Sequence, residues 1–278
     1  MYQEILYSVE EPVATITLNR PEVLNAWTWR MGAEVKHAVV RAERDPAVVG
    51  IVITGAGRGF CSGMDIRNLA ALTEGGQLES NFPELAIHRD SRLPDDFAGE
   101  YTYLMAIPKP IIAAINGPIA GMAVPIALCC DLRFMAAEAP LLTAFAERGL
   151  VAEWGLAWLL SRLAGPSRAL DLLFSSRRVS GSEAAAMGLV NAALPASDVV
   201  THSRRYIEDL ASRCSPTSMA IMKRQVYGQL MDHLGPAEEE ARRLMVESLQ
   251  RPDFREGVQA FLEKRPPSFG RLGTEDPK

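Results

Sequence analysis

Residues 13–20 (VATITLNR) alternate apolar and polar side chains with period two, which predicts a half-buried strand that Pro21 stops. From 22 to 44 the apolar positions Met31, Val35, Ala38 and Val39 recur at helical spacing, predicting a helix that ends at Asp45-Pro46. Residues 48–54 (VVGIVIT) are apolar throughout, as a strand buried on both faces requires. Similar runs over Ile111–Ile115, Leu132–Ala136 and 141–145 predict three more strands. Strands alternating with helices imply a mainly parallel sheet system joined by crossover helices.

Two stretches break this rhythm. Residues 68–100 are polar, punctuated by Gly and Pro and without a clear period, so they read as a long surface excursion or short helix. Such segments serve as lids or pocket walls about as often as plain loops. After Gly149 the pattern becomes helical: 154–164, 166–174 and 182–187, separated by Gly165 and Gly188, with Ser180 or Ser182 as an N-cap before the third. From Asp198 onward helices dominate, and Pro216, Pro236 and Pro252 each suit a first turn. No sheet is expected in this last third, which therefore packs on its own subunit or on a neighbour's.

Composition narrows the classes. The 278 residues are 48% hydrophobic and carry 29 basic against 34 acidic side chains, a net charge of −5. Disorder and a disulfide scaffold are excluded, and nothing in the charge recruits nucleic acid. Cys61, Cys129, Cys130 and Cys214 form no C-x-x-C and read as reduced thiols; four scattered His make a zinc site improbable. The 21 uncharged residues between Lys109 and Asp131 approach the length of a membrane span. Asn116-Gly117-Pro118, Gly121 and Pro125 interrupt them, so a buried strand, a turn and a buried helix from about Gly121 are expected instead. An acidic N-terminus without an apolar run gives a cytoplasmic expectation.

Gly55, Gly57, Gly59 and Gly63 follow a strand, but Phe60 stands where a dinucleotide fingerprint needs its third Gly, and Glu74 is in the irregular stretch. No P-loop or nucleophile elbow is present for Ser62 or Cys61. The glycines instead expose backbone N–H groups at a strand's carboxyl end. A second such turn runs from Asn116 to Met122. Side by side, two such loops could aim two N–H donors at one oxygen, with a helix N-terminus adding positive potential, as an oxyanion hole for an enolate requires; two plain tight turns remain the alternative.

Six motifs in order carry a resemblance: Leu18-Asn19-Arg20-Pro21-Glu22 with Asn25-Ala26; Gly59-Phe60-Cys61-Ser62-Gly63-Met64-Asp65-Ile66; residues 109–121 (KPIIAAINGPIAG); Cys130-Asp131-Leu132-Arg133; Ala185-Met187-Gly188-Leu189-Val190-Asn191; and Phe261-Leu262-Glu263-Lys264-Arg265-Pro266. Together, over nearly the whole chain, they resemble the crotonase (enoyl-CoA hydratase/isomerase) superfamily. The resemblance implies an α/β fold: a crotonase-like spiral of ββα units over 1–197 with the acyl-CoA site, then a C-terminal α-helical trimerisation region over 198–278. It implies acyl-CoA thioester substrates and a homotrimer or hexamer. No tightly bound cofactor is implied, coenzyme A being part of the substrate; neither nucleic acid nor membrane is an expected partner.

By the same resemblance the oxyanion donors are the N–H groups of Met64 and Met122. The two glutamates of hydratases fall at Pro125 and Phe145, neither of which can transfer a proton. Glu153 instead matches the acid of peroxisomal-type Δ3,Δ2-enoyl-CoA isomerases, where dienoyl-CoA isomerases and a haloaryl-CoA dehalogenase place Asp. Between Val151 and Trp154, at the start of an apolar helix, it is expected to be partly desolvated; an acid that merely complements the helix dipole is the plainer reading, and Glu147 is a reserve candidate. Arg20 and Arg58 are implied near the nucleotide, with Lys264 arriving from the tail of its own or a neighbouring subunit; the same resemblance implies that Ser62 faces adenine and that Asp65 and Ile66 sit beside the pantetheine. The function expected is enoyl-CoA isomerisation with Glu153 as proton shuttle. Alternatives are hydration of a 2-enoyl-CoA, a non-catalytic acyl-CoA-binding protein and a nicotinamide enzyme.

Overall fold

The computed structural model describes residues 1–73, 93 and 95–273. Six strands form one sheet: β1 (Ile5–Glu10), β2 (Val13–Leu18), β3 (Gly50–Gly55), β4 (Ile111–Ile115), β6 (Leu132–Ala136) and β9 (Ala192–Leu194), side by side in that order. Only β1–β2 is antiparallel; the other pairs are parallel. A smaller sheet holds β5 (Ile119–Ala120), β7 (Pro140–Leu142) and β8 (Val179–Ser180). From β4 on, the chain crosses repeatedly between the two sheets, producing the expected spiral. Every residue of β3 and β4 is buried, as their unbroken apolar runs foretold.

The 21-residue uncharged stretch resolves into buried β4, the short β5 and α4 (Ala123–Leu128). No helix among the described residues is long and apolar enough to cross a membrane.

Helix α1 (Trp29–Arg44) starts later than residue 22. Pro21–Val23 makes a single 3-10 turn, and Leu24 and Asn25 then take left-handed backbone (φ 52° and 55°) that no helix can include. Thr28 caps α1, its Oγ1 accepting the Met31 N–H at 3.0 Å. At the other end buried Lys109 donates to the Ala42 and Asp45 carbonyls at 2.9 and 2.6 Å, and burial pushes its pKa down to about 8.

Other expectations shift as well. Strand β1 escaped notice because its apolar and polar residues do not alternate: Leu6 and Val9 are exposed together with Ser8 and Glu10. The run at 141–145 is shorter, β7 ending at Leu142 with Ala144 left-handed (φ 59°). The part after Gly149 is not free of sheet: β8 and β9 lie there, two and three residues long, below the length at which period two can be seen. Ser180 caps α7 (Gly181–Ala186), accepting the Glu183 N–H at 3.1 Å. Helices α5 (Leu156–Ala164) and α6 (Pro166–Ser175) precede it.

Helix α8 (Val199–Arg213) lies against the large sheet, close enough that a Cβ on Gly50 would stand 2.9 Å from the Ile207 side chain. Beyond it, α9 (Pro216–Gly228) is moored by Asp131, which accepts from Lys223 Nζ (2.7 Å) and the Tyr227 hydroxyl (2.9 Å). Helices α10 (Leu234–Leu249) and α11 (Pro252–Glu263) leave Met245, Val246, Phe254, Val258, Phe261 and Leu262 exposed.

Candidate active site

Two loops meet at the carboxyl ends of β3 and β4. Glycine is required where their backbones approach: a Cβ on Gly55 would lie 2.2 Å from the Gly59 carbonyl oxygen, and one on Gly117 2.2 Å from that of Arg58. Two asparagine amides fasten the first loop. Asn25 Nδ2 donates to the carbonyls of Ala56, Gly59 and Phe60 (3.0, 2.9 and 3.2 Å), while its Oδ1 accepts from the Arg20 N–H. Asn116 Nδ2 reaches Gly55 O and Gly57 O (2.9 and 3.1 Å), and its Oδ1 accepts from the Gly55 N–H.

The loops then run parallel. Cys61 bridges Ile119, and the Ala120 N–H donates to Cys61 O at 3.0 Å. That register carries on: a Cβ on Gly63 (φ 93°) would touch Ala120 O at 3.0 Å and lie 3.6 Å from Gly121 Cα. Met64 and Met122 are the next residues on the two loops. Met64 pairs with Trp27 through its neighbours, Trp27 N–H to Gly63 O (2.7 Å) and Asp65 N–H to Trp27 O (2.9 Å), so its own N–H faces away from that pairing. Among the described residues, neither the Met64 nor the Met122 N–H has a protein acceptor. Met122 is buried and Met64 half-buried.

Glu153 is half-buried, but it precedes helix α5 rather than opening it. Trp154 and Gly155 both adopt left-handed backbone (φ 53° and 73°), and the Leu156 N–H donates to Glu153 O at 2.9 Å. The carboxylate therefore stands on the first residue of a tight turn, not in a helical first turn. Next to it four aromatic rings touch edge to face in series: Trp27 to Tyr101 (5.9 Å between centroids), Tyr101 to Trp154 (5.2 Å) and Trp154 to Trp29 (6.2 Å). The series runs from the residue paired with Met64 to the residue after Glu153. Burial raises the Tyr101 phenol well above its ordinary pKa, with the Glu100 and Glu153 carboxylates pushing the same way and the Trp27 indole opposing.

The remaining expected residues separate by their partners. Arg20 is spoken for: its guanidinium donates to Ala26 O (2.6 Å) and Asp65 Oδ2 (2.7 Å), and its Nε lies 3.7 Å from Glu4. Hydrogen bonds from Arg67, aided by Arg20, hold the Asp65 carboxyl well below the usual carboxylate range against the effect of burial. This buried Arg20–Asp65 pair fixes the loop just past Met64. Arg58 and Lys264 are exposed, as is Ile66; Ser62 is also exposed and its Oγ donates to Val23 O (3.1 Å). Glu147 is exposed on a 3-10 turn. Pro125 and Phe145 are buried apolar residues.

Cys61 is fully buried and its thiol is pushed up to about 12, which removes it as a nucleophile; Cys129 and Cys130 are buried free thiols too. Glu74 and most of the irregular 68–100 stretch lie outside the described residues. Reading the sequence missed Asn25 and Asn116 as fasteners, although both lie in quoted motifs, and missed Tyr101 altogether, since no period or motif surrounds it.

The Enoyl-CoA hydratase/isomerase family model matches residues 8–272. The chain belongs to that family, within the crotonase superfamily. "Probable enoyl-CoA hydratase" of Rhodobacter capsulatus is 37% identical over 96% of this chain and 98% of its own. The "1,2-epoxyphenylacetyl-CoA isomerase" of Escherichia coli is 32% identical over 97% and 99%. Among solved structures, a probable enoyl-CoA hydratase/isomerase from Mycobacterium abscessus superposes with a TM-score of 0.82 at 29% identity, covering 96% of this chain and 98% of that one. An enoyl-CoA hydratase from Polaromonas sp. JS666 gives 0.83 at 28%, covering 95% and 99%. This enoyl-CoA hydratase/isomerase family member is thus an enzyme with a crotonase fold.

Proposed function

We propose that this enzyme holds an acyl-CoA thioester with its carbonyl oxygen between the Met64 and Met122 N–H groups, and isomerises the double bond of a 3-enoyl-CoA with Glu153. The observation that carries the reading is two adjacent N–H donors without a protein acceptor among the described residues, linked through the ring series to the segment that bears the half-buried Glu153 carboxylate. By the family resemblance, Pro125 and Phe145 stand where hydratases carry their glutamates. The Glu153 carboxylate takes a proton from C2. The electron pair passes into the thioester carbonyl, whose developing negative oxygen the two N–H groups stabilise. The proton returns at C4, and the double bond now joins C2 and C3. Each donor supplies roughly 3–4 kcal/mol of transition-state stabilisation.

No tightly bound cofactor enters this scheme, since coenzyme A arrives with the substrate. Arg58 and Lys264 are the exposed cations offered for its phosphates, and Arg20 acts through Asp65 on the donor loop. A homotrimer, or a pair of trimers, would cover the exposed apolar side chains of α10 and α11. The test is Glu153→Gln. Loss of 3-enoyl-CoA isomerisation and of C2 proton exchange in deuterated water is expected; full turnover in the variant refutes the shuttle.

Hydration of a 2-enoyl-CoA, with Glu153 activating water alone, is the second reading, favoured by the name of the Rhodobacter relative. Loss of crotonyl-CoA absorbance in water, faster than isomerisation, would select it.

A further inference from the structure

Four heteroatoms on the ring series beside Glu153 are buried without a hydrogen-bond partner among the described residues: Trp27 Nε1, Trp29 Nε1, Tyr101 Oη and Trp154 Nε1. Buried indole N–H and phenol O–H groups normally find a partner, and each one left without it costs about 1–3 kcal/mol. Phenylalanine at these positions would keep much of the packing and remove the cost. Trp154 also bears a bulky side chain on left-handed backbone, a strained combination that persists where function holds it. Packing therefore accounts for the rings but not for their polar atoms.

We propose that the acyl group taken by this enzyme carries a neutral oxygen on a flat, unsaturated frame, received by the Tyr101 hydroxyl and the Trp154 and Trp29 indole N–H groups. The inference rests on the acyl-CoA reading given above. The chemistry of the groups selects the ligand. Indole N–H groups are donors only, so a cation gains nothing from them, and where the rings meet, an edge of one covers a face of the next. An anionic acceptor would be repelled by Glu153, whose charge already reaches Tyr101. A hydroxyl, carbonyl or ether oxygen meets both conditions, and a planar ring carrying it packs edge to face as the four side chains do among themselves. Straight-chain enoyl groups leave every one of these donors unanswered.

Calorimetric titration with phenylacetyl-CoA, each monohydroxyphenylacetyl-CoA isomer and hexanoyl-CoA tests this. At least one hydroxylated isomer should bind about tenfold more tightly than phenylacetyl-CoA. That advantage should vanish in Tyr101→Phe or Trp154→Phe, while hexanoyl-CoA binding stays within about twofold of wild type in both. Trp29→Phe gives a third variant should Trp154→Phe fail to fold. Equal affinity for the hydroxylated and plain rings, or an advantage that survives all the variants, overturns the inference alone. Absence of binding by every thioester, hexanoyl-CoA included, overturns the acyl-CoA reading and this inference with it.

Discussion

Around the Met64 and Met122 loops nearly every polar side chain has a fixed partner: Asn25 and Asn116 fasten the glycine turns, and Arg20 and Asp65 close the loop beyond. Across the site, the Glu153 side is held by ring contacts, and the Trp154 and Trp29 indole N–H groups there have no acceptor among the described residues. The two halves thus solve different problems. An oxyanion must be met by donors that do not move, because the stabilisation depends on their being preset. An acyl group must be enclosed, and polar atoms kept unspent on that side are free to answer it.

Glu153→Gln should break the comparison most sharply, lowering isomerisation by about 10²–10⁴ with little change in the melting temperature. Steady-state rates beside a thermal melt read both; equal losses in each would make Glu153 a structural residue. Gly117→Ala should do the converse. Its new methyl group would stand 2.2 Å from Arg58 O, so a loss of roughly 2–4 kcal/mol in urea unfolding is expected along with activity. Unchanged stability would show that the donor loops can yield.

Asn25→Ala sharpens the same point at smaller cost, roughly 1–3 kcal/mol, since buried carbonyls lose their donor. The smallest effect lies away from both halves, at Lys109. Its folded pKa of about 8 is below the ordinary 10.5, so between these values the unfolded chain binds the extra proton. Stability therefore rises with pH across that window, and the wild type should gain on Lys109→Met between about pH 8 and about pH 10. A constant difference between their unfolding free energies would contradict it.

The large sheet was legible because β3 and β4 are apolar without interruption, and α1 because the Met31, Val35, Ala38 and Val39 stripe marks it. What escaped was set by tertiary contact. Helix α1 starts late because Asn25 spends its amide on three carbonyls of another loop, and α5 starts late because Trp154 turns left-handed beside Tyr101. The donor loops were readable as glycine patterns, and Glu153 through resemblance to relatives. Tyr101 had no local signal: its role arises only when Trp27 and Trp154, from two distant segments, pack against it.

The Asn116-Gly117 pair has a chemical lifetime as well as a shape. Asparagine followed by glycine is the dipeptide that most readily closes to a succinimide, because no Cβ hinders attack by the next backbone nitrogen. Here the amide is held at both ends by the Gly55 turn, which keeps it from reaching that geometry. Deamidation at this one position, followed by its mass increment, is then a slow recorder of how often the donor loop opens. Once it occurs the change is permanent, since the amide nitrogen leaves as ammonia, and the carboxylate formed has no N–H to give the Gly55 and Gly57 carbonyls.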